Sequence, residues 1–230
     1  MIKNAKYNID NYEQFLEILL SLKNEKKAAF DKKIIFTEKI HIGLSSAQIK
    51  QIVKSISISN IQNMLPFFKH IYYEETIIYF ILISRLEDLE LLCENIDAHA
   101  SSWADTDCIN TSFIKKDLNN NYLLLTSKLS NTKEYLSRFI IVTFMNNYID
   151  TPYIENITDI LSNFNSEFYY VNMASSWFIC ELFIKKREYA LKLFECNTLS
   201  KFTINKAVSK INDSYRVSKA DKDMVKQFKK

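Results

Sequence analysis

Gly43-Leu44-Ser45-Ser46-Ala47-Gln48-Ile49-Lys50-Gln51-Ile52-Val53-Lys54-Ser55-Ile56 contains the one glycine of a 230-residue chain, followed by a run at the helical period. Ser45 or Ser46 can accept the orphan N–H groups of a first helical turn. Ile49, Ile52, Val53 and Ile56 then recur at spacings that place them inward on one helical face. Reading outward from this stretch, glycine does not return. The two prolines are Pro66 and Pro152. Hairpins and tight crossovers draw on Gly at positive φ, so one glycine argues against a sheet-rich fold. A Rossmann fold or a P-loop is excluded, because neither Gly-rich phosphate loop can be built. The turns fall instead to Asn, Asp and Ser, as in Asn119-Asn120-Asn121, Ser130-Asn131-Thr132 and Asn163-Phe164-Asn165-Ser166.

The helical period continues along the chain. Asp10 or Asn11 can cap a first helix with Phe15, Ile18, Leu19 and Leu22 on its apolar face. Further helices are expected over Glu74–Ile83, Leu86–Ile96, Ile114–Leu129, Lys133–Ile149, Ile154–Leu161 and Glu167–Ile184. After them come a segment around Tyr189–Phe194, Thr203–Ile211, and a last helix through Lys219–Lys229. About a dozen helices of roughly ten to eighteen residues, joined by short connections, stack as antiparallel hairpins. At roughly 35–45 residues per pair the chain accommodates about six HEAT-like units. The expected architecture is therefore an all-α solenoid of antiparallel helix pairs with a free concave surface, one domain over residues 1–230. A single compact helical bundle is the alternative.

Hydrophobic residues make up 47% and charged residues 25%, enough for a packed core. The longest strictly apolar run, Ile77–Ile83, is far short of a membrane span. The N-terminal residues carry charge and Asn in place of an export signal, and Cys93, Cys108, Cys180 and Cys196 have no C-x-x-C spacing. Free thiols in a reducing cytoplasm fit this pattern better than a zinc site with His41, His70 or His99. No metal and no cofactor is expected. Net charge is +3, unevenly spread. Residues 201–230 carry nine Lys/Arg against three Asp, or +6, leaving 21 basic and 24 acidic groups, or −3, for residues 1–200. A basic tail can face phosphates or simply complete solvated helix ends.

Ser101-Ser102-Trp103-Ala104-Asp105-Thr106-Asp107-Cys108 is the most informative stretch for chemistry. Trp103 and Asp107 are four apart, on one face if helical, and Thr111 would continue that face. The other tryptophan, Trp177, lies in Tyr169-Tyr170-Val171-Asn172-Met173-Ala174-Ser175-Ser176-Trp177-Phe178. Each has a plainer reading: a helical Trp is usually core, and an Asp on a helix is usually solvated. Asp105 and Asp107 are not distinguishable by spacing alone.

These residues resemble a known family. Ser102-Trp103-Ala104-Asp105-Thr106-Asp107 looks like the tryptophan–three residues–aspartate motif of the HEAT-like-repeat DNA alkylation repair family, the AlkD-type DNA glycosylases. Tyr72-Tyr73-Glu74-Glu75-Thr76 is similar to the Tyr/Glu-rich helix preceding that motif. Tyr135-Leu136-Ser137-Arg138-Phe139 looks like the helix bearing an arginine near the lesion, and the helix of Trp177 resembles the one carrying the second active-site tryptophan. Asn205-Lys206-Ala207-Val208, Lys210-Ile211 and Asp213-Ser214-Tyr215-Arg216-Val217-Ser218 match the C-terminal signature most closely. The resemblance covers roughly residues 70–230. Before it, the family generally carries an Arg/Pro-containing turn where this chain has Gly43-Leu44-Ser45-Ser46-Ala47-Gln48.

The resemblance implies a glycosylase that releases positively charged N3- or N7-alkylated purines from duplex DNA. Asp107 would stabilise oxocarbenium-like charge on the deoxyribose, Trp103 and Trp177 would pack on the sugar and backbone, and Arg138 would hold a phosphate. Duplex DNA containing alkylated bases is the implied partner of a monomer without a membrane segment. The net negative charge of residues 1–200 keeps open a scaffold of the same fold that binds DNA structure or a protein without catalysis.

Overall fold

The computed structural model describes residues 7–130, 132–196 and 198–230. Among them the chain is all-helical, with fourteen α-helices and no strand. One isolated parallel bridge joins Ile40 and Tyr72. The chain divides into two compact units at Asn110 and Thr111.

Unit 1 contains α1 (Tyr12–Ser21), α2 (Glu25–Asp31), α3 (Ser46–Ser55), α4 (Ile58–Met64), α5 (Tyr73–Ser84), α6 (Leu89–His99) and α7 (Trp103–Asp107). Local chemistry sets the starts. Asn11, Asn24, Ser57 and Asp88 each accept an N–H of the first turn, and Ser45 with Gln48 closes a reciprocal capping box ahead of α3. Helix α5 buries eleven of its twelve residues, so the unit is built around it. Phe15, Leu19, Ile52, Ile56, Ile78, Phe80 and Leu92 are fully enclosed in its core.

Two adjacent carboxylates at the start of α5 organise the preceding loops. Glu74 Oε2 accepts the N–H of Ile42 (2.9 Å), and its Oε1 accepts those of Gly43 (2.5 Å) and Leu44 (3.1 Å). Glu75 accepts the N–H of Lys69, Ile71 and Tyr72 and the hydroxyl of Tyr12. Both are fully buried. A buried carboxylate is tolerated only when its oxygens are saturated with donors, and these are. Gly43 is the hinge of this arrangement. Its φ is +90°, and a Cβ there would sit 2.1 Å from the Asn24 carbonyl oxygen.

Unit 2 contains α8 (Leu118–Lys128), α9 (Glu134–Asn147), α10 (Ile154–Ser162), α11 (Tyr169–Lys185), α12 (Arg187–Glu195), α13 (Lys201–Asp213) and α14 (Lys219–Val225). Helix α11 packs along α9, α12 and α13, and Phe139, Phe144, Tyr148, Val171, Phe178, Ile204 and Ile211 fill the core between them. Ser176 Oγ donates to the Thr203 carbonyl (2.9 Å) and Thr203 Oγ1 to Asn172 Oδ1 (2.9 Å), pinning α11 to α13.

The expected helices are present with shifted bounds. The span 114–129 divides into a 3-10 segment, Ser112–Asp117, and α8, because Asp117 leaves helical geometry to cap the Asn120 N–H. The span 86–96 begins later, at Leu89, where Asp88 caps it. Six of the described helices are shorter than ten residues, below the expected range. Thr111 does not continue the face of Trp103 and Asp107: α7 ends at Asp107, and the Thr111 hydroxyl accepts from Asn147 Nδ2 in unit 2 (2.9 Å). No described helix is long and apolar enough to cross a membrane.

Candidate functional site

The four residues expected to act together fall two in each unit: Trp103 and Asp107 in unit 1, Arg138 and Trp177 in unit 2.

Helix α7 is a single short turn, held at its start by Asp105. One oxygen of that carboxylate accepts the backbone N–H groups of Ser101 and Ser102, each at 2.8 Å. Asp105 has no exposed surface, and burial raises its pKa, against the Lys39 ammonium and these N–H bonds, which lower it. The two neighbouring aspartates therefore separate. Asp105 is a buried structural cap, not a solvated neighbour, and Asp107 at the end of the turn is half-exposed.

Trp103 is half-buried. Its indole joins a cluster with Ile35, Tyr73, Ile77 and Ala104, and its Nε1 donates weakly to the Ile34 carbonyl (3.5 Å). The Thr106 hydroxyl bonds to the Trp103 carbonyl (2.9 Å) and approaches Asp107 Oδ1 (3.4 Å), stiffening the turn that presents the carboxylate. Burial, together with the charges of Asp105 and Asp107, pushes the Cys108 thiol well above its ordinary pKa. A thiol so placed stays protonated and is no nucleophile.

In unit 2, Arg138 is almost fully buried on α9, and Nη1 donates to the Tyr170 carbonyl (3.2 Å). Glu134, one turn earlier on the same face, accepts the Tyr170 N–H (3.1 Å). The pair thus holds both backbone groups of one residue in the first turn of α11 and sets where that helix begins. Trp177 lies two turns further along α11, 37% exposed, with Lys210 of α13 5.9 Å above its ring. Tyr169, 54% exposed, is on the same helix face two turns before it.

Lys206 and Lys210 lie one turn apart on α13, each over an aromatic ring, Phe202 and Trp177 respectively. Arg216 pairs through both guanidinium NH2 groups with Glu181 of α11, one turn beyond Trp177. The charge count of residues 201–230 pointed to this region, but spacing alone did not name Lys210 as the partner of Trp177.

Among the described residues no group of three or more His, Cys, Asp or Glu is placed to hold a metal ion, and the four cysteines form no disulfide. No protein-family model matches the chain, and no curated protein matches it.

Proposed function

We propose that this protein is a DNA glycosylase of the HEAT-like-repeat alkylation repair type, a solenoid of antiparallel helix pairs that receives alkylated duplex DNA on its concave surface. The observation that carries the reading is the division of labour in α7. Asp105 is consumed in closing the turn, while Asp107, at the aspartate position of the tryptophan–three residues–aspartate motif, keeps a half-exposed carboxylate.

Alkylation at N3 or N7 makes a purine cationic and a good leaving group. Cleavage of its glycosidic bond develops positive charge on the deoxyribose, which a nearby carboxylate lowers in energy. In this reading Asp107 is that carboxylate and orients the attacking water, Trp103 and Trp177 contact the cationic centre through their π faces, and Arg138 holds a phosphate. The chemistry draws on no cofactor, and the protein acts as a monomer in the cytoplasm.

A second reading has a specific observation in its favour. Arg138 is buried and bonded to the Tyr170 carbonyl, a placement that suits a framework residue. A scaffold of the same type, binding DNA structure or a protein partner without base release, would retain it for that reason.

One assay separates the two. Duplex DNA carrying N7-methylguanine or N3-methyladenine is incubated with the protein and with Asp107→Asn, and free base is quantified. Release by the wild type that drops by about 100-fold or more in the variant is the glycosylase outcome. Binding without release above the spontaneous rate, equal in both proteins, selects the scaffold.

A further inference from the structure

In unit 2, α9, α11 and α13 lie side by side and run in one direction. Glu134, at the start of α9, bonds to Tyr170, and Asp150, beyond its end, pairs with Lys185 at the end of α11. Phe202 and Lys210 of α13 meet Tyr169 and Trp177 of α11 in the same order. Across the first turns of the three helices runs an unbroken row of rings. Tyr135 of α9 stands 6.0 Å from Tyr170, Tyr170 stands 5.2 Å from Tyr169, and Tyr169 stands 5.5 Å from Phe202. Tyr169 is 54% exposed and the other three rings are half-buried. Trp177, 37% exposed, lies further along the same face of α11, about 12 Å from Tyr169 at the helical rise. Exposed rings scattered singly are ordinary, whereas a contiguous aromatic surface marks a place where something docks.

Charge defines what that is. Lys206 leans over the Phe202 ring at 5.7 Å and Lys210 over the Trp177 ring at 5.9 Å, and neither is paired with a carboxylate among the described residues. Two of the neighbouring acids are already engaged, Glu134 with the Tyr170 N–H and Glu181 with Arg216. Glu167 before α11 and Asp213 at the end of α13 are the exposed exceptions. Rings interleaved with unpaired ammonium groups fit a polyanion that carries flat apolar groups. An acidic peptide has the charge without the flat faces. A duplex has the phosphates, but its base faces are stacked on one another and give open rings nothing to cover. An unpaired strand offers both, phosphates to the lysines and base faces to the rings.

We infer that this row of rings, with Trp177, Lys206 and Lys210, binds a single-stranded nucleic acid, its bases stacked on the rings and its phosphates along the α13 lysines. The lysines then have two positions. In the free protein each ammonium sits over a ring, and as a base covers that ring the ammonium moves to a phosphate, exchanging a cation–π contact for a charge-assisted hydrogen bond. Stacking and phosphate contacts read neither a base edge nor a 2′-hydroxyl, so binding is largely indifferent to sequence and to the sugar. The inference goes beyond the glycosylase reading, which engages duplex DNA, and does not rest on it.

The full chain is titrated, with fluorescence anisotropy as the readout, into a labelled twelve-nucleotide oligodeoxyuridylate, its RNA counterpart, and the duplex of the first with oligodeoxyadenylate. Both single strands should bind alike, and about tenfold or more tighter than the duplex at equal salt. Tyr169→Leu, which keeps apolar bulk without a π face, should weaken single-strand binding about fivefold or more at an unchanged salt slope, and Tyr169→Phe should restore it. Lys206→Ala should lower the slope of log K against log salt by about 0.7. If Tyr169→Leu does not fold, the strand-to-duplex ratio of the wild type and the Lys206→Ala slope decide. A strand-to-duplex ratio below about tenfold, a preference of about tenfold or more for one sugar, or Tyr169→Leu binding like the wild type overturns the inference. So does displacement of the strand by polyglutamate at equal charge, which would reduce the surface to a patch for any polyanion. No readout involves base release, so failure here leaves the glycosylase reading standing, and absence of base release leaves this inference standing.

Discussion

Gly43 illustrates how much a single position can carry. Its positive φ and the 2.1 Å approach to Asn24 leave no room for a side chain, and its N–H is one of three that saturate Glu74. Gly43→Ala forces the 42–44 loop away from the carboxylate and strands a buried charge. We expect a loss of about 3 kcal/mol or more in urea-melt stability. A loss below about 1 kcal/mol would show that the loop relaxes without cost.

His70 is a second such residue, with φ of +54° and its ring stacked on His99 at 4.1 Å. Burial first, then the charges of His99 and Lys39, lower its pKa from the ordinary 6.5 to about 3. The His99 pKa is lowered as well, again mainly by burial. The unfolded chain therefore binds protons that the folded one refuses. Stability is full above about pH 6.5 and falls as the pH drops toward about 3. His70→Asn, which tolerates the same backbone, should flatten the Tm-against-pH curve in that window; an unchanged slope would place the dependence elsewhere.

At the scale of elements, α7 separates two aspartates that the sequence presents as equals. Removing Asp105 leaves the Ser101 and Ser102 N–H groups without an acceptor at a buried helix start. Asp105→Ala should cost about 3 kcal/mol and lower Tm by about 6–10 °C, whereas Asp107→Asn should stay within about 1 kcal/mol of wild type. Equal losses in thermal melts would mean that Asp107 is as structural as its neighbour. The spacing of Trp103 and Asp107 puts both on one face only if the stretch is helical, and the helix over Trp103–Asp107 is not among those expected from the apolar period. Which carboxylate turns inward was not legible beforehand, since both positions lie within one turn and only the packing of Ser101 and Ser102 distinguishes them.

At the scale of the molecule, charge is the property with the longest reach. The surplus of +6 over residues 201–230 includes Lys206 and Lys210, which the fold places one turn apart on α13 beside Trp177 and Phe202. If this surface meets DNA, Lys206→Ala with Lys210→Ala should reduce the slope of log K against log salt by about 2 and weaken binding alike for all sequences. An unaltered slope would remove α13 from the interface.

What the sequence by itself determined is the all-helical class and most of the helices. One glycine, caps of Asn, Asp and Ser, and an apolar period near 3.6 are local properties, and local hydrogen bonding reads them directly. Only the tertiary structure decided that Glu74 and Glu75 hold loops, that Arg138 clamps the start of α11, and that His41 is enclosed without a partner. These facts depend on contacts between residues some four to more than thirty positions apart, and on desolvation, which a side chain acquires from its neighbours in space and not from its place in the chain.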